Sequence, residues 1–125
     1  MVAVAALIIR QGKVLALRRA EDNAAGPGLW ECVSGRVEQG EEPLAAVARE
    51  VHEETSLVVN VEPRPWCAYA AQRRGRPMIV IVYRAAYVSG EVCISHEHDQ
   101  SAWLDAEGFA GRSTLLPLVE AVRSA

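Results

Sequence analysis

The sequence predicts an α/β fold of mixed α+β character: an α/β/α sandwich with a mixed central sheet between helices. Three observations carry this. Residues 78–88, MIVIVYRAAYV, are an almost unbroken apolar run rich in β-branched residues. Such a run reads as a central strand covered on both faces. Residues 42–55 place Leu44, Val47, Ala48 and Val51 at helical spacing, so one helix packs an apolar face on the sheet. Residues 115–123 repeat the pattern with Leu115, Leu116, Leu118, Val119 and Val122 and supply the cover for the other face. A length of 125 residues fits a single domain, residues 1–125, around one core.

In chain order, residues 2–9 read as a strand, Gln11-Gly12 as a turn and residues 14–18 as a second strand, together a β-hairpin. Arg18 and Arg19 end that strand and are candidates to meet a substrate. Residues 20–28, AEDNAAGPG, are rich in turn formers. Residues 30–33 form a short strand that leads into a loop punctuated by Gly35 and Gly40. Pro43 suits the first turn of the helix that follows. Residues 57–61 form a strand, interrupted by Pro63 and Pro65 as expected at an edge or bend, and residues 66–72 continue in extended form. Arg73-Arg74-Gly75-Arg76-Pro77 is a basic turn ahead of the central strand. Residues 95–101, SHEHDQS, read as a polar surface loop, with Trp103 packing in the core. Two histidines at i, i+2 without a further ligand make a weak metal site.

Composition bounds the function. Half the residues are hydrophobic and 23% are charged, with a net charge of −3. That balance describes an ordinary globular chain and argues against a nucleic-acid binder held by bulk electrostatics. The apolar N-terminal stretch is interrupted by Arg10, lacks a basic leader and is too short to span a bilayer. The expectation is a cytoplasmic protein without a membrane partner. Cys32, Cys67 and Cys93 are odd in number and widely spaced, so they are expected as buried thiols rather than a disulfide framework.

The chemistry concentrates on the helix over 42–55. Glu50, Glu53 and Glu54 stand at i, i+3 and i+4, which puts their carboxylates on one side of the helix about one turn apart. Like charges so placed repel. The helix has no lysine and one arginine, Arg49, to offset them. A hard divalent cation is the expected partner, because Mg²⁺ takes carboxylate oxygens and keeps positions open for water and phosphate.

This stretch resembles the Nudix box, G-x5-E-x7-R-E-U-x-E-E-x-G-U, where U is a bulky aliphatic residue. Gly35, Glu41, Arg49, Glu50, Val51, Glu53, Glu54 and Leu57 stand at the matching positions. Ser56 replaces the glycine that would cap the helix in left-handed geometry. The approach to the box also departs: relatives commonly read W-x-L/F-P-G-G, and here Val33 and Ser34 replace the proline and first glycine. Downstream, Glu97-His98 and Trp103 resemble the E-H-x-x-x-x-W segment of MutT-like members.

The resemblance implies a Nudix-like sandwich and hydrolysis of a nucleoside diphosphate linked to a further group. It implies metal ligation by Glu50, Glu53 and Glu54 with the Gly35 carbonyl, and an ion pair of Glu41 with Arg49. Glu53 and Glu97 are the candidates for general base, with Glu50 a third. Glu38 joins Arg18 and Arg19 as a candidate substrate contact. The cofactor implied is Mg²⁺, with Mn²⁺ as a substitute. The substrate expected is a nucleoside triphosphate cut in MutT fashion. ADP-ribose or another ADP-sugar is the alternative, and a non-catalytic nucleotide-binding module is the alternative from another class. Many relatives are dimers, so a homodimer is expected as a possibility.

Overall fold

The structure is a computed structural model that describes residues 1–23 and 26–125. Within the loop expected over 20–28, Ala24 and Ala25 lie outside the described residues. Strands β1 (Val2–Arg10), β2 (Lys13–Arg19), β3 (Trp30–Glu31), β4 (Val33–Arg36), β5 (Val58–Val61), β6 (Cys67–Arg73), β7 (Arg76–Ser89) and β8 (His98–Leu104) join in one sheet. Helices are α1 (Pro43–Thr55), α2 (Ala106–Ala110) and α3 (Leu116–Ser124).

The sheet is mixed, as expected. β1 runs parallel to β7, from Val2↔Ile79 to Ile9↔Ala86, and the other pairings are antiparallel. The predicted hairpin exists but is brief: β1 meets β2 only at Ile9↔Val14 and Arg10↔Lys13. β2 then leaves to pair with β3 and β8, and β4 takes its place against the first half of β1. The two halves of the sheet therefore spread apart at the end where β4 runs beneath α1.

Each face carries its own apolar layer. Ala46, Val47 and Val51 of α1 pack on Val4, Ala6, Ile8, Leu15, Leu17 and Tyr83. Phe109 of α2 and Leu118, Val119 and Val122 of α3 pack on Ala3, Ala5, Leu7, Val80 and Val82. Alternate residues of β1 thus serve opposite layers, the period of two that a strand buried on both faces needs. Trp103 is half-buried against the α1 layer and meets Tyr87 edge-on at 5.9 Å between ring centroids.

Four readings change. The segment read as a polar surface loop begins β8, and His98 at its start is buried. Strand pairing with β2 outranks the local polarity of the segment. Gly35 is not in a loop but inside β4, with ordinary backbone geometry. Gly40 does take positive φ, +78°, as the tight turn before α1 requires. Of the cysteines, Cys32 is buried, Cys67 is half-buried and Cys93 is exposed. Helix α2 was not anticipated. Its signal was present in Asp105, whose side chain accepts the Gly108 N–H at 2.7 Å as an N-cap.

Candidate active site

Helix α1 and strand β4 meet where Glu50 faces Gly35. A Cβ on Gly35 would lie 2.2 Å from the Glu50 carboxyl carbon and 2.3 Å from Oε1. Only glycine leaves room for that carboxylate against the backbone. This contact explains the glycine in the box better than turn geometry does.

Arg49 gathers the outer side of the helix. Its guanidinium holds Glu41 through Nε at 2.8 Å and Nη2 at 2.9 Å, the two-pronged pairing a planar guanidinium favours. Nη1 reaches Glu50 at 2.8 Å and Glu53 at 3.3 Å, and Nη2 donates to the Arg36 carbonyl at 3.1 Å. The Arg49 guanidinium, with the Glu38 backbone N–H, holds the Glu41 carboxyl down to about 2. Glu38 itself stands 3.8 Å from Arg49 and is largely exposed.

Glu54 behaves differently from its neighbours. Its side chain is 4% exposed, against 55% for Glu53. Both of its oxygens are buried without a hydrogen-bond partner. Burial comes first, then the close approach of the Glu50 carboxyl, then the charges of Glu31, Glu50 and Glu97, and together they push its carboxyl up to about 10. His98 Nδ1 lies 3.7 Å from Glu54 Oε1. As the side chains stand among the described residues, no three His, Cys, Asp or Glu groups converge on one ion-sized point. Two buried oxygens without a protein partner, on a helix that also carries Glu50 and Glu53, fit the oxygen donors that a hard divalent cation takes.

Behind Glu54 lies a residue the sequence reading did not single out. Glu31 of β3 is buried and accepts from Arg19 Nη2 at 2.9 Å and Ser34 Oγ at 3.1 Å, and it meets His98 Nε2 at 2.9 Å. Burial opposes its ionisation, but His98 and Arg19 outweigh that and leave its carboxyl below the usual range. The signal that could have found it is pairing across strands: Glu31↔Leu17 aims it at the α1 side.

A cavity of about 760 Å³ opens beside this corner, within the range of small-molecule sites. Glu31, Ser34, Gly35 and Glu97 line its end nearest the box. Tyr69, Ala71, Met78 and Val80 form an apolar floor, and Leu115 and Leu118 form a wall. Burial pushes the Tyr69 phenol up to about 12, so it stays neutral. Arg19 lines the cavity. Arg18 does not: it is engaged by Asp99 and by Glu21 at 2.7 Å. Arg73 and Arg74 of the basic turn line the cavity's far end. Glu53 faces solvent on the same helix.

The NUDIX domain family model matches residues 1–121. A MutT-like protein of Streptomyces ambofaciens is 34% identical over 112 residues, covering 89% of this chain and 68% of that protein. The nucleoside triphosphatase NudI of Klebsiella pneumoniae is 32% identical over 114 residues, covering 83% of this chain and 81% of that protein. The crystal structure of a MutT protein from Methanosarcina mazei Go1 aligns with a TM-score of 0.83 at 30% identity, over 98% of this chain and 90% of that one. No helix among the described residues is long and apolar enough to cross a membrane. A glycine that lines the cavity and seats Glu50, an arginine clasping Glu41 and a buried Glu54 agree with that match, and the chain belongs to the Nudix family as a MutT-like Nudix hydrolase.

Proposed function

We propose that the protein is a Mg²⁺-dependent pyrophosphohydrolase that converts nucleoside triphosphates to nucleoside monophosphates and pyrophosphate. The observation that carries this reading is Glu54, whose two buried oxygens have no partner within the protein, one turn from Glu50, whose neighbour Gly35 lines a cavity of about 760 Å³. Glu54 and Glu50, with the Gly35 carbonyl, would hold the cation, and Glu53 lies on the same side to complete the set. When bound, Mg²⁺ offsets phosphate charge and lowers the pKa of a coordinated water.

The chain's own groups supply the rest. The apolar floor around Tyr69 and Met78 receives the nucleoside and excludes water from it. Arg19 presents positive charge at the wall, and Arg73 and Arg74 present it at the far end. Glu97, exposed at the cavity rim, is the carboxylate best placed to take a proton from the attacking water. Glu53 is the alternative base, but Arg49 holds one of its oxygens at 3.3 Å. Glu41 and Arg49 tie the loop ahead of the helix to the helix itself.

The test is a screen of the purified protein with Mg²⁺ and again with Mn²⁺. Ordinary and oxidised nucleoside triphosphates, ADP-ribose, NADH and dinucleoside polyphosphates are incubated and the products resolved by chromatography. Metal-dependent release of nucleoside monophosphate and pyrophosphate from a triphosphate is the expected result. Cleavage of ADP-ribose in preference to every triphosphate would replace this substrate by an ADP-sugar. No turnover of any compound by folded, Mg²⁺-binding protein would favour a non-catalytic nucleotide-binding module.

A further inference from the structure

We propose that His98 is a positioning residue whose Nδ1 edge sets the Glu54 carboxylate for the divalent cation. The inference rests on the reading above that Glu54 ligates that cation, and it adds a residue to which that reading gave no role.

The backbone is arranged to deliver this imidazole. β8 pairs with β2 in regular register from Val14↔Leu104 to Arg18↔Gln100, and then slips, so that Arg19 faces His98. Asp99 is the extra residue of a β-bulge. Without it, His98 would share the side of the sheet that Gln100 and Arg18 occupy, because residues two apart on a strand point the same way. With it, His98 turns to the α1 side, where Leu17 and Glu31 already face. Bulges beside active sites commonly re-aim one side chain in this manner.

The imidazole is then held from behind. Its side chain is 1% exposed, with Nε2 2.9 Å from Glu31 Oε2. Both ring nitrogens face carboxylates, and an ionised carboxylate only accepts, so in the proposed metal-bound state Nε2 donates to Glu31 and Nδ1 donates to Glu54. Glu31 is fixed in turn by Arg19 and by Ser34. Ser34 is one of the residues that departs from the usual approach to the box, and here its hydroxyl anchors this support. The opposite nitrogen, Nδ1, is buried without a hydrogen-bond partner and faces Glu54 Oε1 at 3.7 Å. Two orphaned polar groups, one on β8 and one on α1, therefore confront each other across a gap that a small rotation of Glu54 closes. Carboxylates that ligate metals are ordinarily oriented by such a partner, and its removal weakens metal binding by about 10–100-fold.

The experiment measures Mn²⁺ binding by the full-length protein without nucleotide, using electron paramagnetic resonance, beside metal-free melting temperatures. Three variants are compared: His98→Leu, His98→Asn and His98→Gln. The Asn amide falls near the position of Nδ1 and the Gln amide near that of Nε2. His98→Leu should weaken Mn²⁺ binding by about tenfold or more, His98→Asn should restore most of it, and His98→Gln should restore the melting temperature without restoring the affinity. Should the Leu variant not fold, the contrast between Asn and Gln still decides. Leu binding Mn²⁺ within about twofold of the parent, or Gln rather than Asn restoring affinity, would overturn the role of Nδ1 while leaving the hydrolase reading intact. A parent protein that binds no Mn²⁺ would instead remove the metal reading of Glu54, and this inference with it.

Discussion

Glu53 and Glu54 are neighbours in sequence and identical in type, yet they occupy opposite electrostatic worlds. The outer lip of the box, where Arg49 gathers Glu41, Glu50 and Glu53, is half-buried at Arg49, Glu41 and Glu50 and open to water at Glu53. An exposed ion pair such as that of Arg49 with Glu53 is screened and contributes about 0–1 kcal/mol. The inner corner, where Glu54, His98, Glu31 and Arg19 meet, is closed to water, and there burial holds the metal-free Glu54 carboxyl in its neutral form. One helix thus uses its exposed glutamate for adaptable charge and its buried one for a fixed demand that the protein alone does not meet. The lip organises the loop, and the corner leaves two buried oxygens without a protein partner.

The contrast is most open to challenge at Glu54. Glu54→Gln should lower turnover by about 100-fold or more while leaving the metal-free fold intact, as judged by circular dichroism. Near-normal turnover at saturating Mg²⁺ would remove the corner from the chemistry.

Charge that is exposed and remote should behave in the opposite way. Replacing Arg73 and Arg74 together by Ala should raise KM for a nucleoside triphosphate by about tenfold at low salt and leave kcat unchanged. The difference should shrink at high ionic strength. A fall in kcat instead would mean that the hairpin tip shapes the site itself.

Acid and base titrations sharpen the comparison further. Without metal, the Glu54 carboxyl lies at about 10 in the folded chain against 4.5 ordinarily. A raised value means that stability is fully present below 4.5 and drains away as pH rises towards 10, because the unfolded chain ionises first. The metal-free parent should therefore lose melting temperature relative to Glu54→Gln between pH 5 and 9, on the order of degrees, and the gap should vanish near pH 4. Glu41 has the opposite sign. Its folded value of about 2 contributes stability above 4.5 that is lost as pH falls through 2, so Glu41→Gln should matter at neutral pH and cease to matter in strong acid. If both variants gave the same slope, the two regions would not differ as described.

The smallest effect belongs to the end of the helix. Ser56 adopts φ 60° and ψ 10°, and its N–H is bonded to the His52 carbonyl. Ser56→Gly should stabilise the protein by about 1 kcal/mol, measured by denaturant unfolding, with no change in activity.

The layers of the fold were legible because periodicity reports burial. The run over 78–88 and the apolar stripes at Val47, Val51, Leu118 and Val122 led directly to a covered mixed sheet. The lip was legible in two ways: helical spacing puts Glu50 and Glu53 on one side of the helix, and the resemblance to the box implied the pairing of Glu41 with Arg49. The corner was not. Glu31 and His98 are 67 positions apart, and what joins them is a register slip that no local pattern encodes. His98 looked like surface because its neighbours His96, Glu97 and Asp99 are exposed. Gly35 was misread for a related reason: the demand on it comes from a side chain on another element, not from its own dihedral angles.

The parallel contact of β1 with β7 carries a consequence for how the chain is made. Residues 3–9, AVAALII, are wholly apolar; one edge pairs with β2 and β4, but the other finds its partner only at residues 80–86. During synthesis this strand emerges early and stays without its central neighbour until more than half of the chain has followed. Folding that waits on so distant a pairing is slow, and an apolar strand with one open edge is exposed to association with other chains in the meantime. Expression at reduced temperature, which slows synthesis and weakens apolar association, is thus expected to raise the yield of folded protein.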